Sequence, residues 1–345
     1  MDVTNSPAPH DEQVVLSTEW LSSVLAQRYP DAIATYTEVT ERLETVATKV
    51  RFRVGYARQT AAPDALCAKG YFDPAHRRGT RAEADFYRLV AHDLPVRTPP
   101  CVYTGVDADT GHALILMHDL VEAGARFLDP LVGYSAEQAA RTLDQLAALH
   151  AATWGASGAP LAAEFPPRLA SLARLMSTEQ IQQLLDDGRA QGISLDVRRA
   201  DRLVGAMAAM EASAATSPMC LVHGDLHAGN IYELADGSPG LIDWQVVQRG
   251  VWALDVGYHL ATVLDPDELA RVERDLLDHY LDRLAAYGAP PPGREHAWLM
   301  YRSYLPYGMF MWAITRAVDR PIIEHFTRRL SIAVDRHTSF DLLGV

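Results

Sequence analysis

Cysteine is scarce in this chain: Cys67, Cys101 and Cys220 are three in 345 residues, odd in number and far apart. A disulfide framework is excluded, and the apolar neighbours of each favour reduced, buried thiols. No run approaches the ~18 apolar residues needed to span a bilayer, and residues 1–10 lack the basic start and apolar core of a secretory signal. Positive charge is also short. Thirty-one Lys and Arg stand against 44 Asp and Glu, a net of −13, which argues against an extended nucleic-acid-binding surface. Internal repeats and low-complexity linkers are missing too. What is present is ordinary: 48% hydrophobic residues over a length that suits two lobes. These features lead us to expect a cytoplasmic protein working without membrane or nucleic acid; they say nothing of its oligomeric state.

Hydrophobic periodicity changes partway along the chain. After a tail over residues 1–13 and a capped helix start at Ser17, strands are expected near residues 36–39, 49–56, 65–71, 102–106 and 113–117, with one helix over 81–90 between them. From Leu120 onward the pattern is helical, notably over 135–154, 166–176, 177–187 and 195–216, with short apolar strands near 219–222, 230–234 and 241–242. A strand-rich half followed by a helix-rich half predicts an α+β fold in two parts, 1–118 and 119–345.

The chemistry is concentrated in two short pieces. Residues 221–231 read Leu-Val-His-Gly-Asp-Leu-His-Ala-Gly-Asn-Ile, and residues 241–244 read Leu-Ile-Asp-Trp. Asp225 and Asn230 share the relative placement of the base and the metal-binding Asn in the kinase pattern H-x-D-x-x-x-x-N. Turn chemistry at Asp236-Gly237 and Ser238-Pro239-Gly240 predicts a hairpin that returns Asp243 beside them. Phosphoryl transfer asks little more of a protein: a carboxylate to take the acceptor's proton, here Asp225, and oxygen ligands for magnesium, here Asn230 and Asp243. Singly each has a plainer reading, as turn former, loop cap or strand-end carboxylate; their order and spacing favour the chemical one. His223 and His227 stand four apart, as in some zinc sites. Gly224 and Gly229 argue for a loop rather than a helix face, and no third ligand follows at suitable spacing, so both are read as shaping the loop.

These motifs resemble the aminoglycoside phosphotransferase superfamily, and the finer pattern is similar to its CHK and ecdysteroid-kinase-like branch through Glu83, Phe86 and Tyr87, the stretch from Leu146 through His150 to Trp154, and Asp243-Trp244-Gln245-Val246. The resemblance implies a bilobal protein-kinase-like fold: an N-lobe antiparallel sheet with one main helix, and a mostly helical C-lobe carrying catalytic hairpins. It also implies ATP and Mg2+ as cofactors. Lys69, on an apolar strand, would touch the ATP phosphates with Glu83 as its ion-pair partner, and the hinge through Met117 and His118 would hold adenine by its backbone. One departure stands out. Residues 41–54, where relatives place a glycine-containing phosphate loop, hold no Gly, so backbone and hydroxyls around Thr45 to Thr48 would have to serve.

Protein substrates are disfavoured. Gly224 stands where many regulated protein kinases carry an Arg, and only residues 244–254 separate Asp243 from Asp255, too few for a long activation segment. Asp255 is expected to anchor the catalytic loop, and His150 to be a satisfied core histidine. The acceptor is then a small-molecule hydroxyl compound, with an aminoglycoside, a steroid or polyketide, and a hydroxyacyl thioester all left open. Tyr301, Arg302 and Trp312, on an aromatic helix face, are candidates to line its pocket, with ordinary core as the competing reading. A choline- or sugar-type kinase is the nearest alternative, and a nucleotide-binding pseudokinase with a regulatory role is the alternative from another class.

Overall fold

The computed structural model describes residues 8–44, 47–72, 81–107, 109–155, 161 and 164–345. Two short helices lead in: α1 (Glu12–Val15) and α2 (Thr18–Leu25), capped by the side chains of Asp11 and Ser17. The expected tail over residues 1–13 is therefore corrected at its end, because the Asp11 cap starts a turn that buries Val15. Strands β1 (Ala34–Glu44), β2 (Thr48–Tyr56) and β3 (Ala65–Gly70), helix α3 (Arg81–Leu89), and strands β4 (Cys101–Val106) and β5 (Ala113–His118) follow. The five strands form one antiparallel sheet in the order β1-β2-β3-β5-β4. Strand β1 runs well past the expected 36–39 because it is an edge strand whose alternation is weak: most of its residues are exposed.

The sheet has two covered faces. Val50, Phe52, Leu66, Ala68, Leu114 and Leu116 pack with α1 and α2, whereas Ile115 and Met117, one residue out of phase, pack with α3 and the helical half. The period of two along each strand makes this division.

The second half comprises β6 (Arg126–Phe127), α4 (Ala136–Ala152), α5 (Leu169–Ala173), α6 (Thr178–Leu184), α7 (Ala200–Ala214), β7 (Cys220–Val222), β8 (Ile231–Glu233), β9 (Pro239–Leu241), β10 (Gln248–Gly250), α8 (Ala253–Val263), α9 (Pro266–Ala286), α10 (Arg294–Ile314), α11 (Arg320–Arg336) and α12 (Ser339–Leu342). Helix α4 opens with a reciprocal capping box between Ser135 and Gln138. Helices expected over 166–176 and 177–187 are shorter. Pro166 and Pro167 delay the first, and a π-helical turn at Leu185–Arg189, with Gly188 at φ 105°, ends the second. No helix among the described residues is long and apolar enough to cross a membrane.

The short strand pairs that flank Asp225 and Asp243 sit where the two halves meet. Strand β8 pairs with β9, Ile231 opposite Leu241, and β7 pairs with β10, Val222 opposite Gln248. Phe86 of α3 stacks on Trp244 with ring centroids 3.8 Å apart and planes at 12°, which ties α3 to the end of the hairpin.

Candidate active site

The loop after β7 is built around a buried carboxylate. Asp255, in the first turn of α8, accepts the backbone N–H groups of His223 at 2.7 Å and Gly224 at 2.8 Å, while His150 Nε2 donates to it at 3.1 Å. The other ring nitrogen of His150 meets the Tyr280 hydroxyl at 2.8 Å. Asp255 thus fixes the loop and His150 is a satisfied core histidine. Gly224 is required by its backbone. It sits at φ 81°, and a Cβ there would lie 2.7 Å from the Val246 carbonyl. An Arg at this position would be excluded by geometry, independently of regulation.

His223 clips the loop to the hairpin. The Asp225 N–H donates to its Nδ1 at 3.2 Å, so the proton is on Nε2, which donates to the Ile242 carbonyl at 2.8 Å. Burial lowers its pKa, which keeps this neutral tautomer. His227 accepts the Gly229 N–H at 3.1 Å and is likewise pushed down by burial, to about 4. Both histidines shape the loop. No cluster of three His, Cys, Asp or Glu suited to a metal occurs among the described residues, so the zinc reading finds no support.

Asp243 comes back beside the loop as the hairpin spacing predicts. The Ile242 N–H donates to the Asn230 carbonyl at 3.0 Å, and Asp243 follows in a left-handed conformation, φ 66° and ψ 61°, rare for a residue with a Cβ. Its Oδ1 lies 2.9 Å from Lys69 Nζ, which also reaches Glu83 Oε2 at 2.6 Å. Lys69 and Glu83 are buried, at 3% and 1% exposure. Burial opposes charge on all three groups. Even so, Asp243 and Glu83 hold Lys69 protonated well above an ordinary lysine, and Lys69 and Lys49 bring Asp243 down to about 2 against the effect of burial. Burial raises Glu83, with Lys69 only partly offsetting it. Asp243 is therefore the firmly ionised member.

Asp225 has the opposite electrostatics. Desolvation, with Asp243 and Asp255 nearby, raises it to about 7, against hydrogen bonds from Tyr258 and Asn230 that favour the charged form. A carboxylate titrating there is well matched to accepting a proton near neutral pH. The Asn230 side-chain N–H2 donates to the Asp225 carbonyl at 2.7 Å, and its Oδ1 is the atom left for a ligand. Asn230 Oδ1 and the ionised Asp243 are hard oxygen donors, the set a magnesium ion takes alongside phosphates and water.

A cavity of about 380 Å³ opens at Lys69 and Glu83, lined also by Lys49, Cys67, Tyr87, Met117, His118, Leu120 and Phe127 among others; Asp225, Asn230 and Asp243 are not among its lining residues, although their neighbours Gly229 and Ile242 are. Apolar side chains such as Met117, Leu120 and Phe127 share its lining with charged ones, among them Lys49, Arg51, Lys69, Glu83 and Asp119. Met117 and His118, expected at the hinge, are among its lining residues. Thr48 is not among the lining residues: it starts β2, paired across to Glu44 and Gly70, and Lys49 faces the cavity instead. Thr45 lies outside the described residues.

The three residues expected on the acceptor side, Tyr301, Arg302 and Trp312, sit in helix α10. Tyr301 is fully buried, stacked 5.4 Å from Trp298 with its hydroxyl on Glu273 at 3.0 Å, so the core reading holds for it. Arg302 packs over Trp298, 5.6 Å from the ring. Trp312 is buried too, but its Nε1 donates to the Tyr258 hydroxyl at 2.8 Å, and that hydroxyl donates to Asp225 Oδ1 at 2.7 Å. None of the three lines the cavity. Tyr258 was missed, as was Tyr307, whose hydroxyl donates to the Gly224 carbonyl at 2.7 Å. A signal for Tyr258 existed: it lies three residues after Asp255, on the same helix face.

Comparison with known proteins bears on family and fold. Residues 43–296 match the family described as the phosphotransferase enzyme family, APH. Among solved structures, the chain is similar to a choline/ethanolamine kinase family protein from Mesorhizobium loti, 19% identical over 95% of this chain and 98% of that one, TM-score 0.52. It is also similar to choline kinase LicA from Streptococcus pneumoniae, 14% identical over 94% and 99%, TM-score 0.53. A choline kinase from Cryptosporidium parvum is 12% identical over 95% of both, TM-score 0.56. At these identities the likenesses establish the shared fold. No protein of curated function matches the sequence significantly.

Proposed function

This chain belongs to the phosphotransferase enzyme family, and from that premise we propose that it transfers the γ-phosphoryl group of ATP to a hydroxyl of a small molecule. The observation that carries this reading is the pair of differently tuned carboxylates on one loop-and-hairpin unit: Asp243, ionised and paired to the cavity-lining Lys69, and Asp225, held near 7. In the proposed reaction the acceptor oxygen forms a bond to the γ-phosphorus as the bond to the ADP oxygen breaks, and the acceptor's proton passes to Asp225. Lys69, oriented by Glu83, would meet the phosphates, and Asn230 and Asp243 would hold magnesium. When bound, that ion supplies charge neutralisation for the phosphate oxygens.

The apolar cavity wall at Met117, Leu120 and Phe127 suits a nucleobase. The intact charged cluster weighs against a pseudokinase. The neighbours' printed activities make choline and ethanolamine the first acceptors to try, and the net charge of −13 is compatible with a cationic one. The test is a screen of choline, ethanolamine, aminoglycosides, hydroxylated steroids and hydroxyacyl thioesters with Mg-ATP, read by mass spectrometry for gain of one phosphoryl group. Absence of both Mg-ATP binding and any phosphorylated product across the set would reject the reading.

A further inference from the structure

We propose that Tyr258 is a positioning residue for phosphoryl transfer, a committed hydrogen-bond donor that pins one oxygen of Asp225 and is itself set by the indole of Trp312. The inference rests on Asp225 being the group that receives the acceptor's proton. It follows from a donor inventory. An indole N–H can only donate, and Trp312 Nε1 donates to the Tyr258 oxygen at 2.8 Å. The Tyr258 hydroxyl is thereby occupied as an acceptor, and its own proton is directed to Asp225 Oδ1 at 2.7 Å. Among the described residues, Oδ2 has only a long contact of 3.4 Å from the Asn230 amide. The Tyr258 bond holds the carboxylate plane and occupies one oxygen, so the other, here Oδ2, is the oxygen presented for proton transfer.

The relay is rigid at each step. Tyr258 is 1% exposed, and Trp312 is wedged between Phe326 at 4.5 Å and His227 at 5.4 Å. Arg189 binds the carbonyls of Trp312, Ala313 and Thr315 at 3.1, 3.0 and 2.7 Å, which fixes the end of α10 that carries the indole. Orientation of the base is thus tied to the packing of α8 against α10, away from the nucleotide cavity.

The experiment uses the full chain as wild type, Tyr258→Phe, Trp312→Phe and the double variant. Four quantities are read: Tm, Mg-ATP affinity by calorimetry, the rate of Mg-ATP consumption with water as the acceptor, and the Trp312 indole N–H resonance, identified by its loss in Trp312→Phe. In Tyr258→Phe the rate should fall about 10- to 100-fold with Mg-ATP affinity unchanged. Tm should also fall there, because the indole loses its acceptor, and recover in the double variant, where neither partner is left unpaired. The rate should not recover, and Trp312→Phe should add nothing to Tyr258→Phe. A rate that recovers with Tm, or rate losses that multiply independently, would assign both residues to packing and overturn the proposal. So would an indole resonance unmoved by Tyr258→Phe, an arm that judges the relay even if wild type fails to bind Mg-ATP and the kinase reading falls by itself.

Discussion

Replacing Lys69 with Met keeps most of the side-chain volume and removes one charge from between two carboxylates. Lys69 is 3% exposed and lies 2.6 Å from Glu83 and 2.9 Å from Asp243. Breaking a buried ion pair from one side costs about 3–5 kcal/mol, because the remaining charge is left uncompensated. The Glu83 side dominates here: its side chain is 1% exposed, whereas that of Asp243 is 24% exposed and better screened. At roughly 2 °C per kcal/mol for a chain of this size, Tm should drop by about 6–10 °C. The loss depends on pH with a definite sign. Without the ammonium, both carboxyls rise toward the protonated form in the folded state. A group with a raised folded pKa contributes stability at low pH and loses it as pH increases through that value. The deficit of Lys69→Met against wild type should therefore be larger at pH 8 than at pH 5. Melting curves of both proteins at the two pH values measure it. A deficit of the same size at both, or none at either, would refute the assignment of Lys69 as the counter-charge of Glu83 and Asp243.

Three further outcomes are expected. Asp225→Asn should lower turnover by about 10²- to 10⁴-fold, roughly 3–5 kcal/mol of barrier, with Mg-ATP binding little changed. Wild-type kcat/KM should decline below pH 7 as the carboxylate at about 7 is protonated. Because that raised pKa makes ionisation costly to the fold, Asp225→Asn should gain Tm over wild type at pH 8 and not at pH 5. Asp243→Asn should weaken magnesium-dependent nucleotide binding more than Asp225→Asn does, measured by calorimetry with and without magnesium. Tyr301→Ala should cost about 3–5 kcal/mol of stability, seen in Tm, and leave the Mg-ATP affinity of the folded protein unchanged.

The sequence carried the site better than it carried the packing around it. Asp225, Asn230 and Asp243 were legible because loop and hairpin spacing are local: four residues separate the first two, and turn chemistry over 236–240 brings back the third. Lys69 and Glu83 needed the family resemblance, since nothing local brings a strand and a helix 14 residues apart into an ion pair. Thr48 and Lys49 differ by one residue. The two faces of a strand alternate, so telling which of the two faces the cavity required the register of β2 against β3, which pairs Lys49 with Lys69.

Helix α10 shows why aromatic spacing misleads. Tyr301, Tyr304, Tyr307 and Trp312 are all buried, yet their polar atoms point to four different places: Glu273, the Met210 carbonyl, the Gly224 carbonyl and Tyr258. A helix buried nearly all round has no single pocket face for periodicity to reveal. What separates these side chains is where each N–H or O–H finds its acceptor, and that is set by neighbouring helices rather than by spacing along α10. Two of the four bonds, those of Tyr307 and Trp312, end on the loop of Asp225 directly or through Tyr258. Whatever else α10 does, two of its buried aromatic side chains hold the loop that carries Asp225.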